Sequence, residues 1–367
     1  MASAIGIGRF IYTPILPAMA EGLGLTKGEA GLIASANFAG YLIGAVAAAS
    51  PRLGRQRFWL LSTLAVSAAT TAAMAWPEGM DAFLVLRFLG GAASAYVLVL
   101  ASALVLERLA VTGNSAYSPI HFSGVGSGIA ASALLTWAVA SHGLGWRAMW
   151  LAGGLASIAG LAAVALLVPQ AEPSRPQQAG GNGAANLPLM LLTLAYGLFG
   201  FGYVITATFI VVIVRGSPQA LAIEPVFWLA FGLSAIPSVA FWVGRGRRMR
   251  VLPAFAVACI VEAIGVFASV AWPGISGLML ASLLLGGTFM GITALGLMAA
   301  RDLAPANPRR WLAILTAAFG LGQIVGPIIA GYGYDLAGSF FLPSMLAVAA
   351  LLVSASLAMA VDRRHPA

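Results

Sequence analysis

Charge is what this chain has least of. Only 8% of its 367 residues are charged, against roughly 25% in a soluble globular domain, which excludes an ordinary water-soluble fold. Cysteine is nearly missing as well. Cys259 stands alone in an apolar run, so a disulfide framework and a cysteine-built metal centre are both excluded. Lysine occurs once, at Lys27, beside eighteen arginines; with the abundance of alanine and glycine, this is the usage of a GC-rich bacterial genome. Long polar segments are scarce too. The longest, Pro169–Pro188, is too short for a catalytic domain, and the chain carries neither a Gly-x4-Gly-Lys-Ser/Thr nucleotide loop nor a His-Glu-x-x-His zinc signature. Neither an enzyme nor a resident cofactor or metal is expected. The formal net charge of +8 is spread over short turns, so it reads as a topology signal and no nucleic-acid partner is expected.

What the chain has is apolar length. It is 60% hydrophobic, with a mean hydropathy of +0.95. Apolar runs bounded by charged or Pro/Gly-rich turns predict twelve membrane spans, near 2–20, 29–50, 58–76, 82–106, 117–140, 148–168, 188–214, 224–244, 251–272, 276–300, 311–333 and 340–361. The first barely reaches the ~20 residues needed to cross, which leaves room for a native start upstream, and it lacks the basic n-region of a cleavable signal peptide. With the N-terminus in the cytoplasm, fourteen of the nineteen basic residues fall in cytoplasmic turns or the tail. Lys27, Arg147 and Arg215 fall on the other side, and Arg9 and Arg87 lie within spans. This bias obeys the positive-inside rule and favours an even number of spans, with both termini in the cytoplasm of a bacterial cell. The composition of Pro169–Pro188 suits a flexible linker. The reading is an all-α integral membrane protein: a six-helix bundle over 1–168, a cytoplasmic linker over 169–187, and a second six-helix bundle over 188–367.

The two halves echo one another at a near-constant spacing. Gly6-x-Gly8 matches Gly200-x-Gly202, the basic turn Arg52–Arg57 matches Arg245–Arg250, and Leu89-Gly90-Gly91 matches Leu285-Gly286-Gly287. Phe122-x-Gly124-x-Gly126 falls close to Phe319-Gly320-x-Gly322. Parallel six-span repeats related by an axis along the membrane normal are the architecture of major facilitator transporters, and the motifs carry the resemblance further. Pro51-Arg52-Leu53-Gly54-Arg55-Gln56-Arg57 resembles the loop signature between the second and third spans, with Pro51 in place of an aspartate and Ala47 in place of a glycine. Arg87-x-x-x-Gly91-x-x-x-Ala95 resembles the fourth-span signature. Gly6–Pro17, Ser35–Tyr41, His121–Gly128, Tyr196–Phe209, Gly286–Leu295 and Phe319–Pro327 are similar to the YbfB/YjiJ branch of that superfamily.

Candidate site residues centre on Gly6-Ile7-Gly8-Arg9-Phe10-Ile11-Tyr12-Thr13. A charge deep in a span costs about 2.5–3.5 kcal/mol on insertion scales and normally faces protein or a wet cavity. Arg9 lies about eleven residues before the end of its run, roughly 17 Å along a helix, close to the bilayer midplane. Helical spacing puts Arg9, Tyr12 and Thr13 on one face. An arginine there can grip a carboxylate or phosphate with two hydrogen bonds; the alternative is a structural arginine bonded to neighbouring carbonyls. The resemblance implies that spans one, four, seven and ten line a central cavity. Tyr203 and Thr206 would then face Arg9, with Thr288 adding a hydroxyl, although each hydroxyl can equally bond its own helix. The resemblance also makes spans two, five, eight and eleven the seam between halves, where Asn37 and Gln323 serve either substrate or interhelical bonding.

Arg87 lies about five residues into its span and reads as structural or gating, either snorkelling to the interface or pairing with Asp81 or Glu78. The resemblance ties such an arginine to proton coupling. Glu262, the only acid deep in a span, reads first as a packed glutamate and second as a proton carrier. His121 reads as an interfacial structural histidine that could also titrate near neutral pH. The resemblance makes Arg52, Gly54 and Arg55 the gating turn. The leading expectation is a secondary transporter working by alternating access, a monomer in the lipid bilayer, with a small organic anion as substrate and protons as a candidate coupling ion. The alternatives are an efflux pump for hydrophobic or cationic compounds and a transporter-like sensor that does not turn over.

Overall fold

In hydrocarbon every backbone N–H and C=O must find a partner within the protein, and apolar runs too long for strands satisfy this as helices. The computed structural model describes residues 1–48, 56–168, 187–272, 274–305 and 307–364, and all the regular structure in them is helical. Twelve α-helices follow one another: α1 (Tyr12–Leu23), α2 (Lys27–Ala48), α3 (Gln56–Ala73), α4 (Met80–Val111), α5 (Ser118–Ser141), α6 (Trp146–Leu167), α7 (Leu187–Arg215), α8 (Glu224–Met249), α9 (Val251–Ala271), α10 (Ile275–Leu303), α11 (Pro308–Ala337) and α12 (Phe341–Arg364). The gating turn Arg52, Gly54 and Arg55, and most of the expected linker, lie outside the described residues.

Ten of these helices are individually long and apolar enough to cross a membrane. The other two, α1 and α3, depart from the expected spans for identifiable reasons. The run 2–20 is not one regular helix. It opens as a π-helical segment, Ala2–Ile7, in which Gly8 N–H bonds Ser3 C=O (2.8 Å) and Phe10 N–H bonds Ile5 C=O (3.2 Å). Only after a turn at residues 8–11 does α1 begin. Helix α3 is rich in hydroxyls, and those of Thr63, Thr70 and Thr71 bond carbonyls one turn back. Those internal bonds let a polar helix sit among apolar neighbours.

Within the first half α2 packs on α4, and α3 on α4 and α6. Within the second, α9 packs on α10 and α12, and α7 on α11 and α12. The halves meet along two seams, α2 against α11 and α5 against α8, with α1 touching α7. These are the seam helices that the facilitator resemblance implies. Small residues let the backbones close. A Cβ on Gly31 would collide with the Pro327 carbonyl, and one on Gly331 with the Lys27 carbonyl, so α2 and α11 approach at two successive levels that admit only glycine. Outward-facing residues such as Val46, Leu155, Leu166 and Leu336 are exposed, as a lipid-facing shell requires.

Candidate functional site

The widened turn of the π-helical segment, a feature frequent at functional sites, delivers Arg9 into the centre of the protein. Its side chain is 6% exposed. The guanidinium lies over three aromatic rings, at 4.3 Å from the Tyr41 centroid, 4.7 Å from Phe38 and 5.3 Å from Phe10. Such contacts stabilise a desolvated cation; the Tyr41 hydroxyl also accepts from the guanidinium, while Nε and Nη2 have no hydrogen-bond partner. No described carboxylate pairs with it.

Arg87 comes to the same place from α4. It is 5% exposed, so it neither snorkels nor reaches an acid; Glu78 pairs instead with Arg147 at 3.3 Å. Arg87 donates from Nη1 to Gly8 C=O (3.3 Å) and from Nη2 to Arg9 C=O (3.2 Å), clasping the irregular turn that carries Arg9. Its guanidinium sits 5.0 Å from the Tyr12 ring and 5.9 Å from that of Trp150, and its Nε is unpartnered. Asn37 Nδ2 donates to Arg87 C=O (2.9 Å), which leaves Asn37 Oδ1 without a donor. Arg9, Tyr12, Thr13, Arg87 and Thr208 share the lining of a small cavity of about 20 Å³.

From the second half, Tyr203 enters in a column of rings. It is stacked with Phe289 (5.7 Å, 12°) and with Phe319 (5.8 Å, 4°), and Phe289 meets Phe10 edge-on at 6.0 Å. Gln323 Nε2 donates to the Tyr203 hydroxyl, while Gln323 Oε1 has no partner. Arg9, Tyr203 and Gln323 therefore belong to one contiguous aromatic and polar centre built from α2, α7, α10, α11 and the turn before α1. The remaining expected residues divide. The Thr206 hydroxyl is buried and unpartnered. Thr288 donates to its own helix at Leu284 C=O (2.6 Å), so its hydroxyl is not offered to a ligand. Tyr12 donates to Ala30 C=O (2.8 Å) and braces α1 on α2. Glu262 is fully buried beside the Thr288 hydroxyl, with neither carboxyl oxygen in hydrogen-bonding geometry to a donor. His121 contacts Ser102 Oγ through Nε2 at 3.2 Å, away from the centre.

One end of the centre is sealed. Thr13 Oγ1 donates to Ala207 C=O (3.1 Å) and Ser35 Oγ to Ile324 C=O (2.7 Å), each crossing from one half to the other. Beyond them the Asp335 carboxylate accepts from the first two N–H groups of α2, Lys27 (3.0 Å) and Gly28 (2.7 Å). Arg215 joins Glu224 (2.6 Å) and reaches Glu21 across the halves (3.6 Å). Sequence reasoning overlooked Asp335. Its one signal was a lone acid at the end of a long apolar run.

Known proteins place this architecture. Residues 1–359 match the family described as "Uncharacterised MFS-type transporter YbfB". The chain belongs to the major facilitator superfamily, in its YbfB-like family. The fold agrees with solved transporters. The crystal structure of the nucleoside transporter NupG superposes with a TM-score of 0.74 at 16% identity, covering 98% of both chains. A bacterial homologue of the human lysosomal transporter Spinster, in an inward-facing and unoccupied conformation, superposes at 0.70 with 13% identity, covering 100% of this chain and 97% of that one. At those identities the likeness is one of fold. In sequence, a gallate transporter of Pseudomonas putida is 31% identical over 160 residues, 42% of this chain and 35% of that protein's length.

Proposed function

We propose that this YbfB-like protein is a secondary active transporter that carries a small organic anion by alternating access. The bundles 1–168 and 188–367 rock about the α2–α11 and α5–α8 seams in a bacterial plasma membrane, with both termini in the cytoplasm. The observation that carries the proposal is Arg9: a buried guanidinium at the meeting of the halves, with two nitrogens unspent and no acid beside it. A fixed positive charge of this kind favours an anion and disfavours the cations of a drug-efflux pump. The rings around it favour an anion attached to a flat ring. The partial similarity to a gallate transporter supports a carboxylate of that chemistry. The unpartnered oxygens of Asn37 and Gln323 favour substrate hydroxyl groups as donors.

A thermal-stability panel on purified protein tests this reading. Aromatic carboxylates bearing hydroxyls should stabilise the wild type by about 2.7 kcal/mol at a hundred times their dissociation constant; lipophilic cations and neutral solutes should not. Arg9→Gln should abolish the effect. Arg9→Lys, which keeps charge but loses the planar fork, should retain a weakened response. Stabilisation by cations that survives Arg9→Gln would transfer the protein to the efflux class and leave Arg9 structural.

A further inference from the structure

The cavity between Arg9 and Arg87 is a site in its own right. Both arginines line it, both are more than nine-tenths buried, and three of their guanidinium nitrogens, Arg9 Nε and Nη2 and Arg87 Nε, have no partner. No carboxylate lines it. Arginine does not give up its proton in proteins, so two positive charges stand at one small void inside an apolar bundle. Breaking or omitting one side of a buried ion pair leaves an uncompensated charge that costs several kcal/mol, and this site omits the negative side twice over.

The size of the void selects what can supply it. About 20 Å³ exceeds the ~10–15 Å³ that one water needs and suits a small anion. An organic anion built on a ring needs the walls to part. A water molecule fits and would accept an N–H, but it brings no charge. We propose that in this closed conformation Arg9 and Arg87 jointly hold one monatomic anion, a halide of chloride's size, which neutralises the empty site. The transported organic anion would displace it when the cavity opens. This goes beyond the substrate assignment, because the site exists whether or not the carrier moves carboxylates.

The test uses full-length protein exchanged into gluconate buffer. Titrated chloride and bromide should raise the melting temperature saturably, whereas further gluconate should not. Arg9→Gln and Arg87→Gln should each remove the saturable response, and crystals grown with bromide should show an anomalous peak between the two guanidinium groups. No saturable halide effect in the wild type, or a response that persists in Arg87→Gln, would overturn the proposal. If Arg87→Gln does not fold, the bromide peak in the wild type decides, and its absence from the cavity refutes the site. Aromatic carboxylates form a separate arm. Stabilisation by them with none by halide sinks the halide site and leaves the transport assignment standing. Stabilisation by halide alone does the reverse.

Discussion

Glu262 shows how one residue can be both conspicuous and ambiguous. It is an acid in the middle of α9, wholly buried, with neither carboxyl oxygen partnered. Burial of an unpartnered polar group is normally purged, so its retention invites a role that needs a removable proton. Replacement by glutamine keeps the volume and polarity and removes only that proton. In proteoliposomes loaded with substrate, Glu262→Gln should retain counterflow exchange but lose most of the stimulation by an imposed pH gradient. Gradient stimulation equal to wild type would show Glu262 to be a packing residue. The sequence made such charges legible, because an arginine or glutamate inside an apolar run has no bland surface explanation. What it hid was their partners. Arg87 looked like an interfacial arginine because its distance from the span's end was known and the path of the neighbouring turn was not. Gln323 and Tyr203 are bonded but far apart in the chain, and no local pattern links them. Thr288 stood evenly between a ligand and its own helix, because sequence does not say when a hydroxyl turns back on the turn before it.

Helices were legible in number and nearly in extent, because apolar runs and arginine-bearing turns are set by the membrane itself. The irregularity before α1 was not, since a π-helical turn and an α-helical one share almost the same apolar pattern. The α2–α11 seam was partly legible through its glycines, and its energetics can be tested there. A methyl on Gly31 meets backbone, the Pro327 carbonyl, so relief requires α2 to move away from α11. Overpacking of this kind typically costs about 1–3 kcal/mol. Gly31→Ala should therefore lower the melting temperature of purified protein. Gly79→Ala, at a position with nothing within 4 Å of the added carbon, should leave it nearly unchanged. Equal behaviour of the two variants would mean that the seam is looser than these contacts imply.

At the scale of the whole molecule, the question is what holds one face shut. The cross-half contacts on that face differ in strength. Glu21 and Arg215 form a 3.6 Å pair with Glu21 largely exposed, and exposed pairs contribute about 0–1 kcal/mol. Asp335 acts differently: its carboxylate, on α11 in the other half, supplements the N-terminal cap of α2 by accepting from Lys27 and Gly28 N–H. Opening that face leaves the helix its own Thr26–Glu29 capping box but must break the two bonds to Asp335, a loss of about 1 kcal/mol. That amount changes a two-state ratio by about fivefold. The native thiol, Cys259, is buried, so a cysteine introduced at Thr208, a buried residue lining the cavity, reports opening against little background. In the Thr208→Cys protein, adding Asp335→Ala should speed modification by a membrane-impermeant thiol reagent about fivefold, while adding Glu21→Ala should change it by less than half as much. If both substitutions act equally, closure is set by the seam packing beneath them, and the capping carboxylate contributes no more than a surface charge.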